Sequence, residues 1–221
     1  AKMVSAVMES ASGHGFASLQ DSSGRTALHL LCAQKTMSKA VVEAYLHDIR
    51  GGGEPTPWQS SELAVATQDK ISGGTPLHNL CRHSTNFNEL PEIISALVRR
   101  NPRAALALDR DESSALHYLV TRREVATEMI QAILDNVPKA AAAQDSLGRT
   151  ALHKLAAQKH LTLPLLLAVL PKPGESTEER DAVSKRTAST EDKEGRTALH
   201  VLCRRDIDFD WKFLRKSCPP D

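Results

Sequence analysis

Aromatic residues are scarce in this chain of 221 residues, which holds two Trp, two Tyr and four Phe. A core must therefore come from aliphatic side chains, and few rings are left for stacking on nucleic-acid bases. Charge of one sign is lacking too: 28 Lys and Arg face 27 Asp and Glu, a formal net charge of +1, with no strongly one-signed tail. Composition alone therefore names no partner. The longest apolar run, Leu161 to Leu170, is half of the ~20 residues that a membrane helix needs, so no membrane insertion is expected. No secretory signal is visible.

Signatures of catalysis are missing as well. The sequence has no GxSxG elbow and no glycine-rich phosphate loop, and no Cys and His stand as a pair apart from the repeated pattern described next. The expectation is a protein that is not an enzyme and that carries no cofactor.

What is present is repetition. DSSGRTALHLLC, from Asp21 to Cys32, returns as DSLGRTALHKLA (Asp145 to Ala156) and DKEGRTALHVLC (Asp192 to Cys203), and more loosely as SGGTPLHNLC (Ser72 to Cys81) and DRDESSALHYLV (Asp109 to Val120). Each copy opens on turn residues. Gly24, Gly148 and Gly195 tolerate positive φ, and an Asp three residues earlier can accept hydrogen bonds from the turn backbone. A helix then starts: Thr26, Thr75, Ser114, Thr150 and Thr197 stand at the N-cap, and Pro76 takes the first helical position, where its missing N–H costs nothing. Apolar residues at i, i+3 and i+4 (Leu28, Leu31, Cys32; Leu77, Leu80, Cys81; Leu199, Leu202, Cys203) form one stripe that needs a neighbour to bury it. Of the four cysteines, Cys32, Cys81 and Cys203 occupy the same inward position of different units, and Cys218 follows near the end. Equivalent positions in a stack lie roughly 10 Å apart, beyond the ~7 Å limit for a disulfide. Reduced thiols point to an intracellular setting, cytoplasmic or nuclear.

Thr75-Pro76-Leu77-His78, with TALH or SALH at the other sites, resembles the ankyrin repeat, whose unit of about 33 residues carries a T-P-L-H-x-A motif. The resemblance covers about residues 15 to 221. It implies an all-α, ankyrin-type α-solenoid of stacked helix-turn-helix repeats joined by short β-turns or loops. It also implies that His29, His78, His117, His153 and His200 are structural staples, each bonding the hydroxyl residue three positions earlier and the backbone of the adjoining unit. Their spacings of 49, 39, 36 and 47 residues exceed the family norm, so every unit carries extra residues. Glu112 also sits where the turn glycine belongs. The five histidines invite a metal reading. Zinc, however, needs four converging ligands at about 2.0 to 2.3 Å, whereas stacked units hold equivalent side chains apart, so no metal is expected.

One array over 1–221 is anticipated. It comprises a partial leading repeat (1–20), repeat one (21–68, with an insertion at about 50–66), repeat two (69–108), repeat three (109–144), repeat four (145–191, with an insertion at 171–191) and repeat five (192–221). Second helices are expected at 38–49, 88–100, 123–137, 162–170 and 208–217, the fourth of them apolar nearly all round and therefore buried on several sides. The lead-in runs PRAALALD and PKAAAAQD recur before the turns. The stretch from Pro171 to Glu194 is rich in charge and Ser/Thr and reads as a mobile loop. Within it Lys185-Arg186-Thr187-Ala188-Ser189 resembles a basic-directed kinase site, which makes Ser189 a candidate phosphosite where a phosphate would add negative charge beside Arg196, although such short patterns often arise by chance.

Partners of ankyrin-like arrays usually contact the turn tips and the exposed side of the first helices, along a concave face. Carried over, this selects Arg25, Arg149 and Arg196 after the turn glycines, and Arg82, His83, Arg122, Arg204 and Arg205 at the ends of first helices. Trp58, in the first insertion, either anchors a partner or folds back on the flank of the array. The stripe is net basic even though the chain is nearly neutral, which would steer an acidic protein partner. The competing expectation is that turn arginines merely pair with turn aspartates and helix-end arginines merely complement the macrodipole. Nucleic acid is the less favoured ligand. A regulatory or targeting segment of a larger enzyme or channel, and a structural subunit of an assembly, are the alternative roles.

Overall fold

The computed structural model describes residues 16–47, 60–159, 161–170 and 178–204, and among these every regular element is helical. In chain order, a one-turn 3-10 segment, Phe16–Ser18, leads into α1 (Ala27–Cys32) and α2 (Lys39–His47). Next come α3 (Ser60–Ala66), α4 (Pro76–His83) and α5 (Leu90–Arg100), followed by α6 (Arg103–Leu106), α7 (Ala115–Val120) and α8 (Thr127–Leu134). A second 3-10 segment, Pro138–Ala142, precedes α9 (Ala151–Ala156) and α10 (Leu163–Val169). The last described elements are α11 (Glu178–Ser189) and α12 (Ala198–Arg204). No helix among the described residues is long and apolar enough to cross a membrane.

These elements stack in three rows. The first helices α1, α4, α7, α9 and α12 contact one another in succession, and so do the second helices α2, α5, α8 and α10. Between the rows lies an aliphatic core in which Leu28, Leu77, Leu116 and Leu155 are fully buried, as are Leu90, Ile93, Ile94, Leu97 and Val98 along α5. Each such side chain stabilises the stack by roughly 1.5 to 3 kcal/mol relative to exposure. The expected second helix over 123–137 is shorter: it starts at Thr127 and stops at Leu134.

The third row was only half visible in the sequence. It runs from Phe16–Ser18 through α3, α6 and Pro138–Ala142 to α11. Its members approach closely because small side chains face inward, with Ala17, Ala64, Ala104, Ala140 and Thr187 all buried. Tyr45 of the second row donates its hydroxyl to the Ala17 carbonyl at 2.8 Å, which ties the rows together.

Four expectations are corrected. Part of the first insertion is α3, whose Ala64 and Val65 are fully buried. The stretch from Pro171 to Glu194, read as a mobile loop, contains the three-turn helix α11, packed on Pro138–Ala142. Its charge-rich sequence hides the helix because a row of small contacts needs no aliphatic stripe. Helix α10 is not covered all round, since Leu167 is 50% exposed; it buries Leu165 and Val169, with Leu166 and Ala168 packed part-buried against the core. Cys203 and Leu199 in α12 are exposed, unlike Cys32 and Cys81. Trp58, Arg205 and the expected helix at 208–217 lie outside the described residues.

Candidate functional site

The repeated turn builds itself from one carboxylate. Asp145 Oδ1 accepts the backbone N–H groups of Leu147 and Arg149 at 3.0 and 2.9 Å, and Asp21, Asp109 and Asp192 do the same in their own turns. The turn residue before the N-cap then folds back on the same Asp. Arg149 places Nε and Nη2 at 3.1 and 2.9 Å from Asp145 Oδ2, Arg196 places them at 3.0 and 2.8 Å from Asp192 Oδ2, and Arg25 pairs with Asp21 at 2.9 Å. Burial alone would raise the Asp145 pKa. The Arg149 hydrogen bonds, helped by Lys154 at 3.1 Å, outweigh burial and hold the carboxyl below the usual carboxylate range.

Successive turns are joined through their backbones. Lys70 N–H donates to the Ser23 carbonyl at 2.8 Å, Arg110 to Ser72 at 2.9 Å, Ser146 to Asp111 at 3.2 Å and Lys193 to Leu147 at 3.0 Å. The tight turn that permits this needs a left-handed residue. Gly148 supplies it at φ 75°, and a Cβ there would lie 3.0 Å from Lys193 N. Glu112 adopts φ 55° in the same role without being glycine.

The motif histidines sit at the third helical position, and four of them, His29, His78, His117 and His153, bond in two directions. His117 Nδ1 accepts the Ser114 N–H at 3.1 Å, so the ring proton resides on Nε2, which donates to the Arg149 carbonyl of the next unit at 2.9 Å. His29 donates likewise to Gly74 at 3.2 Å, His78 to Ser113 at 3.0 Å and His153 to Arg196 at 2.9 Å. Protonating Nδ1 would set two donors against each other in a buried place. Burial holds His29 and His78 below the ordinary histidine value and brings His117, with the nearby Lys154 charge, down to about 4. His200 makes the intra-unit bond to Thr197 at 3.1 Å. The five imidazoles thus lie one per unit, and among the described residues no three His, Cys, Asp or Glu gather as a metal site.

Another set of bonds runs between the ends of the first helices. Arg122 donates to the Cys81 carbonyl at 2.9 Å and also to Ser84 O, with its guanidinium 5.1 Å from the Phe87 ring centroid. Gln158 in the next unit reaches the equivalent Val120 carbonyl. Arg122 thus caps the carbonyl end of α4. Arg82 is exposed and lies over the Tyr118 ring at 4.2 Å. Its neighbour His83 is exposed too, with a pKa lowered by partial burial and by the charges of Arg82 and Arg122. Ser189 sits in the last turn of α11, its hydroxyl donating to the Lys185 carbonyl at 2.9 Å.

Arg149, Arg196 and Arg204 come together. With Lys154, Ala157 and Val201 they line an open cleft of about 730 Å³ between α7, α9 and α12. Arg25 and Arg82 are not part of it. Sequence reasoning passed over Lys154, which bridges Asp145 and the Ser113 hydroxyl at 3.1 and 3.2 Å. It also passed over Gln68 and Gln144, whose amides link one turn to the next by bonding Gly73 O and Leu108 O, or Gly148 O and Glu191 O. A glutamine directly before the turn Asp in three units, Gln20, Gln68 and Gln144, was the available signal.

No family model and no curated protein matches the sequence. Among solved structures the chain is similar to EF0377, an ankyrin repeat protein, at 15% identity and a TM-score of 0.60, over 92% of this chain and 85% of that one. It is also similar to the ankyrin repeat domain of Bcl-3, described as a unique member of the IkappaB protein family, at 20% identity and a TM-score of 0.57, over 90% of this chain and 72% of that one. The stack of helix pairs is an ankyrin-repeat fold.

Proposed function

We propose that the chain is a non-enzymatic protein-interaction module that holds an acidic partner along the concave face of its first helices. One observation carries this reading. After the histidines, turn carboxylates and Arg122 have taken up their structural bonds, Arg204 remains exposed without an ion-pair partner among the described residues, Arg82 stays exposed over Tyr118, and a cleft lined by cationic side chains opens beside Arg204. The fold shared with EF0377 and with the Bcl-3 domain supplies the scaffold for such a face. Arg149 and Arg196 line the cleft, each paired with its own turn aspartate, as Arg25 is in the first unit. Binding of nucleic acid is disfavoured because, among the described residues, no Tyr, Phe or Trp lines the cleft to stack a base.

The test is a pull-down with the full chain, repeated with the double variant Arg82→Glu/Arg204→Glu and with Arg99→Glu on a second helix. Both positions of the double variant are exposed, so the fold should persist. Acidic proteins captured by the native chain should be lost with the double variant and kept with Arg99→Glu. Equal capture by all three would overturn the reading, and capture abolished by nuclease would replace it with nucleic-acid binding.

A further inference from the structure

The cations of the first-helix face are not equivalent. Toward the first units they are engaged: Arg25 pairs with Asp21, Arg122 caps α4, and Arg82 lies on Tyr118. In the cleft between α7, α9 and α12 the balance differs. Arg149 and Lys154 share the single carboxylate of Asp145, at 2.9 and 3.1 Å. Arg204 is exposed and has no ion-pair partner among the described residues. Arg196 alone is fully compensated, by Asp192 and Glu194 at 2.8 and 2.6 Å. Among the described residues no carboxylate lines the cleft, and Ala157 and Val201 contribute apolar surface within it.

We infer that this cleft takes a short acidic segment of a partner protein in which an aliphatic side chain is flanked by Asp or Glu. The aliphatic group lies against Ala157 and Val201, and the flanking carboxylates pair with Arg204 and with the Arg149–Lys154 couple. Arg149 suits that role because it lines the cleft while Asp145 already fixes its Nε and Nη2, so little rotamer freedom is left to lose. Arg204 offers the planar fork that matches a carboxylate in two-point contact. A ligand that is only acidic would leave the apolar patch wet, and one that is only apolar would leave surplus cations unpaired. Among the described residues no Tyr, Phe or Trp lines the cleft to stack a base. The inference rests on the protein-binding reading above and adds to it the place and the side-chain chemistry.

Fluorescence anisotropy with the full chain tests it. The probes are a labelled short peptide alternating Asp or Glu with Leu, the same peptide with Ser for Leu, the same with Gln and Asn for the acids, and a labelled single-stranded oligonucleotide. The acidic, leucine-bearing peptide should bind best and weaken as salt rises. Its affinity should fall by roughly tenfold in Arg204→Glu and in Ala157→Glu, both exposed positions, and stay unchanged in Arg99→Glu. Absent binding, binding indifferent to both variants, equal binding of the serine peptide, or tighter binding of the oligonucleotide would each overturn the assignment. Should the pull-down be lost in the double variant while the peptide ignores Arg204→Glu and Ala157→Glu, the interaction module stands and the cleft falls.

Discussion

His117 reaches across the unit boundary to donate from Nε2 to the Arg149 carbonyl at 2.9 Å, while its Nδ1 accepts the Ser114 N–H at 3.1 Å within its own unit. One neutral ring thus fixes the start of its own helix and the position of the next turn. Four units make this bond, with His29, His78 and His153 as the other donors.

Acid should therefore loosen the stack. A histidine whose pKa is lower folded than unfolded contributes stability that is fully present above the unfolded value near 6.5 and is lost as pH falls through the folded value, about 4 for His117. His29 and His78 shift in the same direction. Urea unfolding between neutral pH and about pH 4 should show stability falling steadily, with His117 accounting for on the order of 3 kcal/mol. His117→Gln should be weaker at neutral pH and show a shallower fall. A flat profile would contradict the assigned tautomer.

The turn glycines should differ in cost when given a side chain. At Gly24 an added Cβ would meet Lys70 Cγ at 2.7 Å and Lys70 N at 2.9 Å, whereas at Gly195 nothing described lies within 4 Å. Both are at positive φ, 75° and 71°, so Gly195→Ala should cost about 1 kcal/mol from backbone strain alone. Gly24→Ala should cost about 2 kcal/mol or more, because backbone must shift as well. Glu112→Gly should be neutral or stabilising by up to ~1 kcal/mol. Thermal unfolding of the three variants gives the ranking, and equal losses at Gly24 and Gly195 would refute the close approach.

Arg122 and Arg82 should separate cleanly. Arg122→Ala leaves the Cys81 and Ser84 carbonyls without their donor and should cost about 2 kcal/mol. Arg82→Ala loses a half-exposed ring contact worth about 0.5 to 1 kcal/mol. Chemical denaturation measures both, and a larger loss at Arg82 would make it, rather than Arg122, the structural arginine of the pair.

Helix α11 should behave as part of the stack. Thr187 is fully buried where α11 meets Pro138–Ala142, so Thr187→Glu should detach the helix. Hydrogen exchange at residues 182–190 should then speed up by roughly tenfold or more, and trypsin should cut faster after Lys185 and Arg186. Ser189→Asp, which sets negative charge at the carbonyl end of the helix, should fray only its last turn. Exchange that is already fast in the native chain would restore the loop expected from composition.

The sequence announced the first two rows and only half of the third. Turn, cap and stripe recur together around His29, His78, His117, His153 and His200, and those local chemistries agree with one another at every copy. Second helices such as α5 carry an apolar face that periodicity finds. The third row packs through Ala64, Ala104, Ala140 and Thr187, which are too small and too mixed to form a stripe, so α11 read as a loop. Among the candidate site residues, spacing placed Arg82 and Arg204 on the open face. It placed Arg122 there too, yet only the folded chain reveals its guanidinium turned back onto the Cys81 carbonyl.

The acceptor of each imidazole proton is a main-chain oxygen, and the four residues that carry it are Gly74, Ser113, Arg149 and Arg196. The joint is thus blind to side-chain identity on the receiving unit. Side chain and carbonyl of a receiving residue can therefore hold separate duties, as where the Arg149 guanidinium grips Asp145 in its own turn while its carbonyl serves the neighbour behind it.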